Sequence, residues 1–419
     1  MKILIFPKTY FICLTFYFYS AFADNEDVFN KAGPVIFANI LYRHGARTPA
    51  EPYPNDPYKN ESIYWPIGWG QLTNLGKLQH YKLGQWFRNR YEHLLPEGKY
   101  SPSLIYIQST DMDRTIMSAL SNLAGLFPPD NAEEWFNKIP WQPIPVHTTP
   151  EKLDKVLAMK YPCPKFEAEY RALLKSKEIM EFNKRHQELY DYVAKHTGLV
   201  VDGPVQLEYL YSTLLIEAMN NYTLPNWTEK VFPDKLREVS AFSFGLYTYN
   251  KHLQRLKNGP LLKDMIQHMD EKINGKLDPN RNLWVYSAHD TTVANMLNTL
   301  GVFDPHPPPF TATVLLELRK NINDEYSVTV LYKNSTENEP VLLTVPGCTA
   351  ACPLDKFKAL LQDVIPVDWD SECHSHQLFD LTSDQPYNSL AIFEETEILE
   401  NPWPKYFYWT KKYSRTKNI

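Results

Sequence analysis

The stretch PVIFANILYRHGARTP, residues 34–49, decides how the rest of the chain is read. Its first half is apolar, rich in β-branched and aromatic residues, as expected of a strand buried on both faces. It then runs directly into Arg43, His44 and Arg47, just ahead of Pro49. Two guanidiniums and an imidazole within five residues repel one another unless something negative sits among them.

Two other segments share this grammar. SLIYIQ (103–108) leads into STDMDRT (109–115) and the helical pattern IMSALSNLAGLF, and NLWVYS (282–287) leads into AHDTT and VANMLNTLGV. After the first segment the matching helix is GQLTNLGKLQHYKLGQWFRNRYEHLL (70–95), with Leu72, Leu75, Leu78, Leu83, Trp86 and Phe87 at roughly helical spacing. Strand, polar cluster and helix in repeated order predict parallel βα units. Ligands of such sheets bind beyond the carboxyl ends of the strands, so all three clusters are expected on one edge.

Residues 151–275 read differently, with long helical patterns and few strand signals, and are expected to be a helical insertion. TATVLLELRK and YSVTVLYKN around NINDE predict an antiparallel hairpin, followed by VLLTVPG (341–347). The expected fold class is α/β: a mostly parallel central sheet flanked by helices, formed by residues 24–150 and 276–419, with a smaller, mostly helical inserted domain at 151–275.

The first 23 of the 419 residues carry Lys2 and Lys8, an apolar aromatic run and Ala21-Phe22-Ala23, the pattern of a secretory leader cut before Asp24. The run is short for a bilayer span, and no later segment is long and apolar enough to make one. Removing the leader takes two lysines and no acid, so the formal charge falls two units below −6. That balance disfavours a nucleic-acid partner and gives weight to local basic clusters. A hydrophobic content of 43% suffices for sizeable cores. After cleavage four cysteines remain, and an even count in a secreted chain favours two disulfides. Cys348 and Cys352 bracket three residues and could close a local loop, leaving Cys163 with Cys373 as a long-range staple. A metal site from this CxxxC with His374 and His376 is the weaker reading, given irregular ligand spacing. Sequons at Asn60, Asn221, Asn226 and Asn334 fit glycosylation.

The strand-end clusters bring Arg43, His44, Arg47, Arg114, His289 and Asp290 towards one point. Planar guanidiniums suit a tetrahedral oxyanion and stay charged at working pH, so a phosphate group is the natural occupant. Binding alone needs only the arginines. Two histidines and an aspartate add a nucleophile and a proton donor, and neighbouring arginines push a histidine towards its neutral form. The residues alone leave open whether His44 or His289 is the nucleophile. Asp111 and Asp113 read as a turn and a helix N-cap, and His147 as structural. No carboxylate-rich cage occurs, so chemistry without a metal or other cofactor is expected.

With these motifs in place, the chain resembles the histidine acid phosphatase family of the histidine phosphatase superfamily. RHGARTP fits its R-H-G-x-R-x-P motif and AHD its histidine–aspartate motif. STDMDRTIMSAL, LFPP, WQPIPVHT, YSAHDTT and GCTAACPLDKF are similar to animal secreted and lysosomal members, over essentially the whole mature chain. The resemblance implies an α/β domain with a helical second domain and His44 as the nucleophile that forms a phosphohistidine. It further implies Arg43, Arg47, Arg114 and His289 as ligands of the phosphoryl oxygens, and Asp290 as the proton donor to the leaving group. It also supports the pairs Cys163–Cys373 and Cys348–Cys352, and suggests a homodimer. Vertebrate relatives carry a further cysteine pair where this chain has Ile216 and Thr313, and usually an aspartate where it has Ala46. Loss of that carboxylate is expected to make the cavity more positive. Lysosomal members also have a membrane span near the carboxyl end. The expected function is a secreted acid phosphatase, extracellular or directed to lysosome-like vesicles, hydrolysing phosphomonoesters at acidic pH. Phytase-like or inositol-polyphosphate hydrolysis is the second reading, and a catalytically weak secreted binding or host-interaction protein on the same fold is the third.

Overall fold

The computed structural model describes residues 26–96, 99–129 and 139–374. The expected leader at 1–23, His376 and the aromatic, basic tail lie outside the described residues.

Among the described residues eight strands form one sheet: β1 (Val35–Arg43), β2 (Ile105–Thr110), β3 (His147–Thr149), β4 (Leu283–Ala288), β5 (Thr313–Lys320), β6 (Tyr326–Lys333), β7 (Val341–Leu343) and β8 (Ala351–Pro353). The order is β3-β2-β4-β1-β5-β6-β7, with β8 also pairing β6. β1, β2, β3 and β4 run parallel to their neighbours within this group. β5 and β6 form the antiparallel hairpin predicted around residues 321–325. Alternation along the strands supplies both faces. Phe37, Leu41, Tyr286, Val314 and Leu316 face one core, and Ala38, Ile40, Ile107, Val285 and Leu315 face the other.

Four helices serve the functional edge: α1 (Asn74–Arg90), α2 (Asp113–Leu126), α3 (Pro204–Met219) and α4 (Asp290–Thr299). α1 and α2 cover one face of the sheet through Leu83, Phe87, Ala119 and Leu123. α4 covers the other through Val293, Met296 and Leu297, beside the helix Gly259–Ile273, which contributes Leu261, Leu262 and Met265. Asn39, wholly buried in β1, donates through Nδ2 to Met265 O at 3.0 Å, tying that helix to the central strand. Helices Pro164–Leu174, Lys177–Arg185, Gln187–Thr197, Asp234–Phe244 and Lys251–Lys257, together with α3, fill the stretch between β3 and that helix.

Of the residues at helical spacing in this stretch, Leu72, Leu83 and Phe87 are buried, whereas Leu75 and Leu78 are about half exposed, and the buried side of α1 is Gly76, His80, Leu83, Gly84 and Phe87. Small residues occupy that side because backbones approach closely there, so an apolar count misplaces the face. Asp113 is the first residue of α2, not its cap; Met112 precedes it and makes no side-chain capping bond. Cys163–Cys373 and Cys348–Cys352 are both disulfide-bonded, which removes the thiolates that a metal reading requires.

At the end of the sheet remote from the site, Glu317 is fully buried between two arginines. Arg90 Nε lies 2.7 Å and Arg319 Nη2 2.8 Å from its carboxylate, and Tyr91 Oη donates at 2.9 Å. Burial alone would raise the Glu317 pKa, but Arg90, through charge and hydrogen bond, and then Arg319 hold it below the usual range. A carboxylate depressed in the folded state stabilises above its unfolded pKa of about 4.3, and the contribution is lost only as pH falls through the lower folded value. Glu317→Leu strands two buried guanidiniums and is expected to lower unfolding free energy by about 3–5 kcal/mol, read as a reduced urea midpoint at neutral pH. A loss below about 0.5 kcal/mol, the scale of a surface substitution, contradicts this account.

Candidate active site

The strand register builds the site. Arg43, the last residue of β1, pairs with Ala288 at the end of β4, and Ser109 of β2 pairs with Ser287. His44 N donates to Ala288 O at 3.0 Å, so the 44–48 loop leaves the sheet beside the His289–Asp290 turn. That loop is pressed against α1 at two glycines. A Cβ on Gly45 would stand 2.4 Å from Gly76 O, and one on Gly76 would stand 2.2 Å from Ala46 O. Neither position admits a side chain while the loop stays in place. Hydrogen bonds then fasten the loop. Ala46 N donates to Gln79 Oε1 (2.9 Å), Thr73 Oγ1 to Ala46 O (2.9 Å) and Gly45 N to Ser118 Oγ (3.1 Å). Ser118 Oγ donates onward to Arg114 O at 2.7 Å, linking this loop to the helix that carries the third arginine.

His44 is 1% exposed and its Nδ1 lies 2.8 Å from Gly45 O. A carbonyl only accepts, so Nδ1 carries the proton and Nε2 keeps its lone pair. Burial first, then Arg114, Arg43, Arg47 and His289, holds the His44 pKa well below the ordinary histidine value. The ring stands 5.7 Å from that of His289, edge to face. His289 Nε2 meets Thr110 Oγ1 at 3.0 Å, and its Nδ1 faces Arg114 Nη2 at 3.5 Å. Burial and Arg114 likewise keep His289 well below its ordinary value, against the pull of Asp290.

Arg43 is clamped on three sides. Its Nη2 is 2.8 Å from Asp290 Oδ2, its Nη1 donates to Pro308 O at 2.5 Å, and its guanidinium lies 4.2 Å from the Phe310 ring centre. Arg47 donates to Thr48 O at 3.0 Å and reaches Ser212 Oγ of α3 at 3.4 Å. Burial and the repulsion of Arg114 and Arg43 bring the Arg47 pKa down to about 9. The Nε groups of Arg43, Arg47 and Arg114 are all buried without a hydrogen-bond partner. Three guanidiniums with spare donors, depressed by burial, form a site complementary to an oxyanion. Burial would raise the Asp290 pKa, but Arg43, Arg47 and His289 hold it below the usual carboxylate range.

All six residues singled out from the sequence therefore lie on the same edge. Asp111 and Asp113 are exposed, and His147 stacks on Tyr106 at 4.6 Å on the edge strand. Several contributors have no signal in the sequence. His80, fully buried and held near a pKa of about 3 by burial, meets Arg43 O through Nε2 at 3.1 Å. Glu208 of α3 sits four residues before Ser212, on the same helix face. Burial pushes its carboxyl up to about 8, with Ser243 Oγ donating at 2.6 Å and Asp290 and Arg43 acting on it. Helical periodicity identifies α3 but does not say which face meets the arginines. Ala46 packs with Trp65, Ile216 and Phe310. The position read as tuning cavity charge is therefore also an apolar packing position, with Ile216 filling part of the same cluster.

Among the described residues, no three His, Cys, Asp or Glu side chains are grouped as metal ligands. No described helix is long and apolar enough to cross a membrane.

An α/β sandwich with a neutral imidazole set among arginines at parallel strand ends is a protein built to hold and attack a phosphoryl-type oxyanion. The chain belongs to the histidine phosphatase superfamily (branch 2), whose family model matches residues 35–333. It is 40% identical over 348 residues to the prostatic acid phosphatase of Bos taurus, covering 82% of this chain and 88% of that protein. It is 38% identical to the lysosomal acid phosphatase of Rattus norvegicus, covering 82% and 81%. The solved structure of Hafnia alvei phytase in complex with tartrate shares the fold, with a TM-score of 0.63 at 18% identity, covering 81% and 98%. The two disulfides fit an oxidising compartment, extracellular or lysosomal.

Inorganic phosphate is expected to raise the melting temperature, because a ligand bound only by the folded state stabilises by about 2.7 kcal/mol at a hundredfold excess over Kd. Arg114→Ala should shrink that rise in a thermal-shift titration, and an equal rise in both proteins would place the anion elsewhere. Ala46→Asp buries a carboxylate in the Trp65–Phe310 cluster and should lower unfolding free energy by about 1–3 kcal/mol. Unchanged stability would show that residue 46 turns to solvent.

Proposed function

We propose that this protein is an acid phosphatase that hydrolyses phosphomonoesters through a phosphohistidine on His44. The observation that carries the reading is the state of His44: Nδ1–H is committed to Gly45 O, Nε2 is bare, and the environment keeps the ring neutral in acid.

The substrate's phosphoryl oxygens take the spare donors of Arg43, Arg47 and Arg114, which offset charge in the transition state. His289 adds a neutral ring nitrogen beside Arg114. The Nε2 lone pair of His44 forms a bond to phosphorus as the P–O ester bond breaks. The departing alkoxide takes a proton from Asp290. Nδ1–H of the phosphohistidine stays on Gly45 O, which favours the positive charge the ring acquires. Water then attacks phosphorus, the N–P bond breaks and Asp290 takes the water's proton, restoring both groups as phosphate leaves.

Asp290 needs its proton in the complex although Arg43, Arg47 and His289 depress its pKa beforehand. A phosphate dianion among those cations offsets that depression, so protonation accompanies binding and activity is favoured in acid. The stretch at 151–275 acts as a cap over the strand-end site, contributing Glu208 and Ser212. The cysteine pairs and the four exposed sequons Asn60, Asn221, Asn226 and Asn334 support a secreted glycoprotein. Assembly as a homodimer completes the reading and is checked by sedimentation.

Acid quenching during turnover of a 32P-labelled ester should trap label on His44, and His44→Ala should lose at least a thousandfold in kcat (about 4 kcal/mol). Normal turnover by His44→Ala overturns the mechanism. Asp290→Asn is expected to slow alkyl phosphates by about 10²–10⁴ while sparing p-nitrophenyl phosphate, whose leaving group scarcely needs a proton. Equal losses on both substrates would remove Asp290 from the role of acid.

A further inference from the structure

The run Pro305-His306-Pro307-Pro308-Pro309 reaches the site at its far end. Pro308 O accepts from Arg43 Nη1 at 2.5 Å. The ring of Phe310, just past the run, lies 4.2 Å from the Arg43 guanidinium and 5.9 Å from the His44 ring. Proline has no backbone N–H, so His306 is the one residue of these five that carries any hydrogen-bond donor. A segment of this kind cannot fasten itself through its own amides, and its position has to be set from outside.

The His306 ring supplies one tie. Its Nδ1 lies 2.6 Å from Asp304 O and its Nε2 lies 2.6 Å from Tyr332 Oη. A carbonyl only accepts, so Nδ1 carries the proton and Nε2 receives the Tyr332 hydroxyl. Tyr332 is buried in β6, where it pairs with Val314 of β5 and its side chain packs in the sheet core. The other tie leads to the nucleophile loop. Arg43 N donates to Ala312 O at 2.9 Å, and Thr311 N donates to His44 O at 3.3 Å. Thr311 itself holds φ +65°, a conformation that a β-branched residue adopts only when its surroundings enforce it.

Proline fixes φ, so the run is stiff, and a shift at His306 is carried to Pro308 rather than absorbed on the way. The guanidinium gripped there is also the one that holds the acid, with Arg43 Nη2 2.8 Å from Asp290 Oδ2. Arg43 Nε is buried without a partner. With both Nη groups engaged, the direction of the spare Nε–H follows from where Pro308 O stands.

We propose that Tyr332 and His306 are positioning residues of the phosphate site. Their hydrogen bond sets the proline run so that Pro308 O and Phe310 hold Arg43 with Nε–H directed at the phosphoryl oxygens and Nη2 on Asp290. The inference rests on the phosphomonoesterase reading in taking Arg43 as a phosphate ligand.

Inorganic phosphate, titrated by calorimetry well below the melting temperature, tests it. Tyr332→Phe removes only the hydroxyl and should raise the phosphate Kd about fivefold, the scale of one neutral hydrogen bond. His306→Leu breaks the same bond from its half-buried side and should do the same. The double variant should lose no more than either single one, because both act through one contact. His306→Gln keeps an acceptor for the hydroxyl and should restore most of the affinity. A lowered melting temperature with unchanged Kd makes the bond structural only and overturns the proposal, as do losses that add in the double variant. In turnover of p-nitrophenyl phosphate, KM should rise in step with Kd. A wild-type protein that binds phosphate but fails to hydrolyse the ester counts against the phosphatase reading alone, and the Kd comparison still decides the role of Tyr332.

Discussion

Three guanidiniums are buried around one imidazole, and their mutual repulsion is the constraint on which the rest of this structure depends. At an effective dielectric near 20, like charges a few ångströms apart cost on the order of 4 kcal/mol per pair before any partner is supplied. Arg43, Arg47 and Arg114 all respond with lowered pKa values, each led by burial. The protein offsets this only in part, with one carboxylate on Arg43 and polar contacts to Pro308 O, Thr48 O and Ser212 Oγ. The remaining imbalance is a standing preference for an anion, and it also keeps His44 unprotonated.

Such a site survives only on a scaffold that cannot relax around it. The parallel register of β1, β2 and β4 brings the three polar clusters to one edge, and backbone contacts hold them there. Gly45 against Gly76 lets the loop touch α1, Ser118 ties loop to helix, and His80 braces the Arg43 carbonyl. His80 can do so while buried because its environment keeps it neutral, with a pKa of about 3. Towards the opposite end of the same strands, the single Glu317 carboxylate accepts hydrogen bonds from Arg90, Arg319 and Tyr91. There one carboxylate is shared by two arginines, whereas at the site one carboxylate lies among three, a contrast that separates a structural cluster from a binding one.

The strands and their strand-end residues are legible because apolar runs broken by Arg, His and Asp leave little choice of reading. The burial of Asn39 and the closeness of β1 to both β4 and β5 are not, since pairing order is a property of the assembled sheet. The buried face of α1 escapes an apolar count because Gly76 and Gly84 hold their places by having no side chain. The helix Gly259–Ile273 falls within the stretch expected to form the insertion, yet it packs on the sheet through Leu261, Leu262 and Met265. Periodicity identifies a helix and not what the helix will lie against. Ser212 gives no signal for a related reason: it is an ordinary polar residue until the fold sets it 3.4 Å from Arg47.

Acid operation arises from these same parts. A histidine nucleophile in water would be mostly protonated at about pH 5, since its ordinary pKa is about 6.5. Here burial and three arginines remove that obstacle, so in the proposed mechanism His44 stays available as nucleophile while Asp290 takes up its proton. The two requirements conflict in solution and are reconciled by placing both groups in one positive field. That field lowers both pKa values in the free protein. A bound phosphate dianion offsets it, after which burial, the largest cause at His44, still favours the neutral imidazole. The arginines therefore serve two ends in sequence, protecting the imidazole before binding and, once occupied by phosphate, ceasing to oppose protonation of the carboxyl. The acid preference becomes a consequence of where substrate charge lands rather than of any single residue's intrinsic pKa.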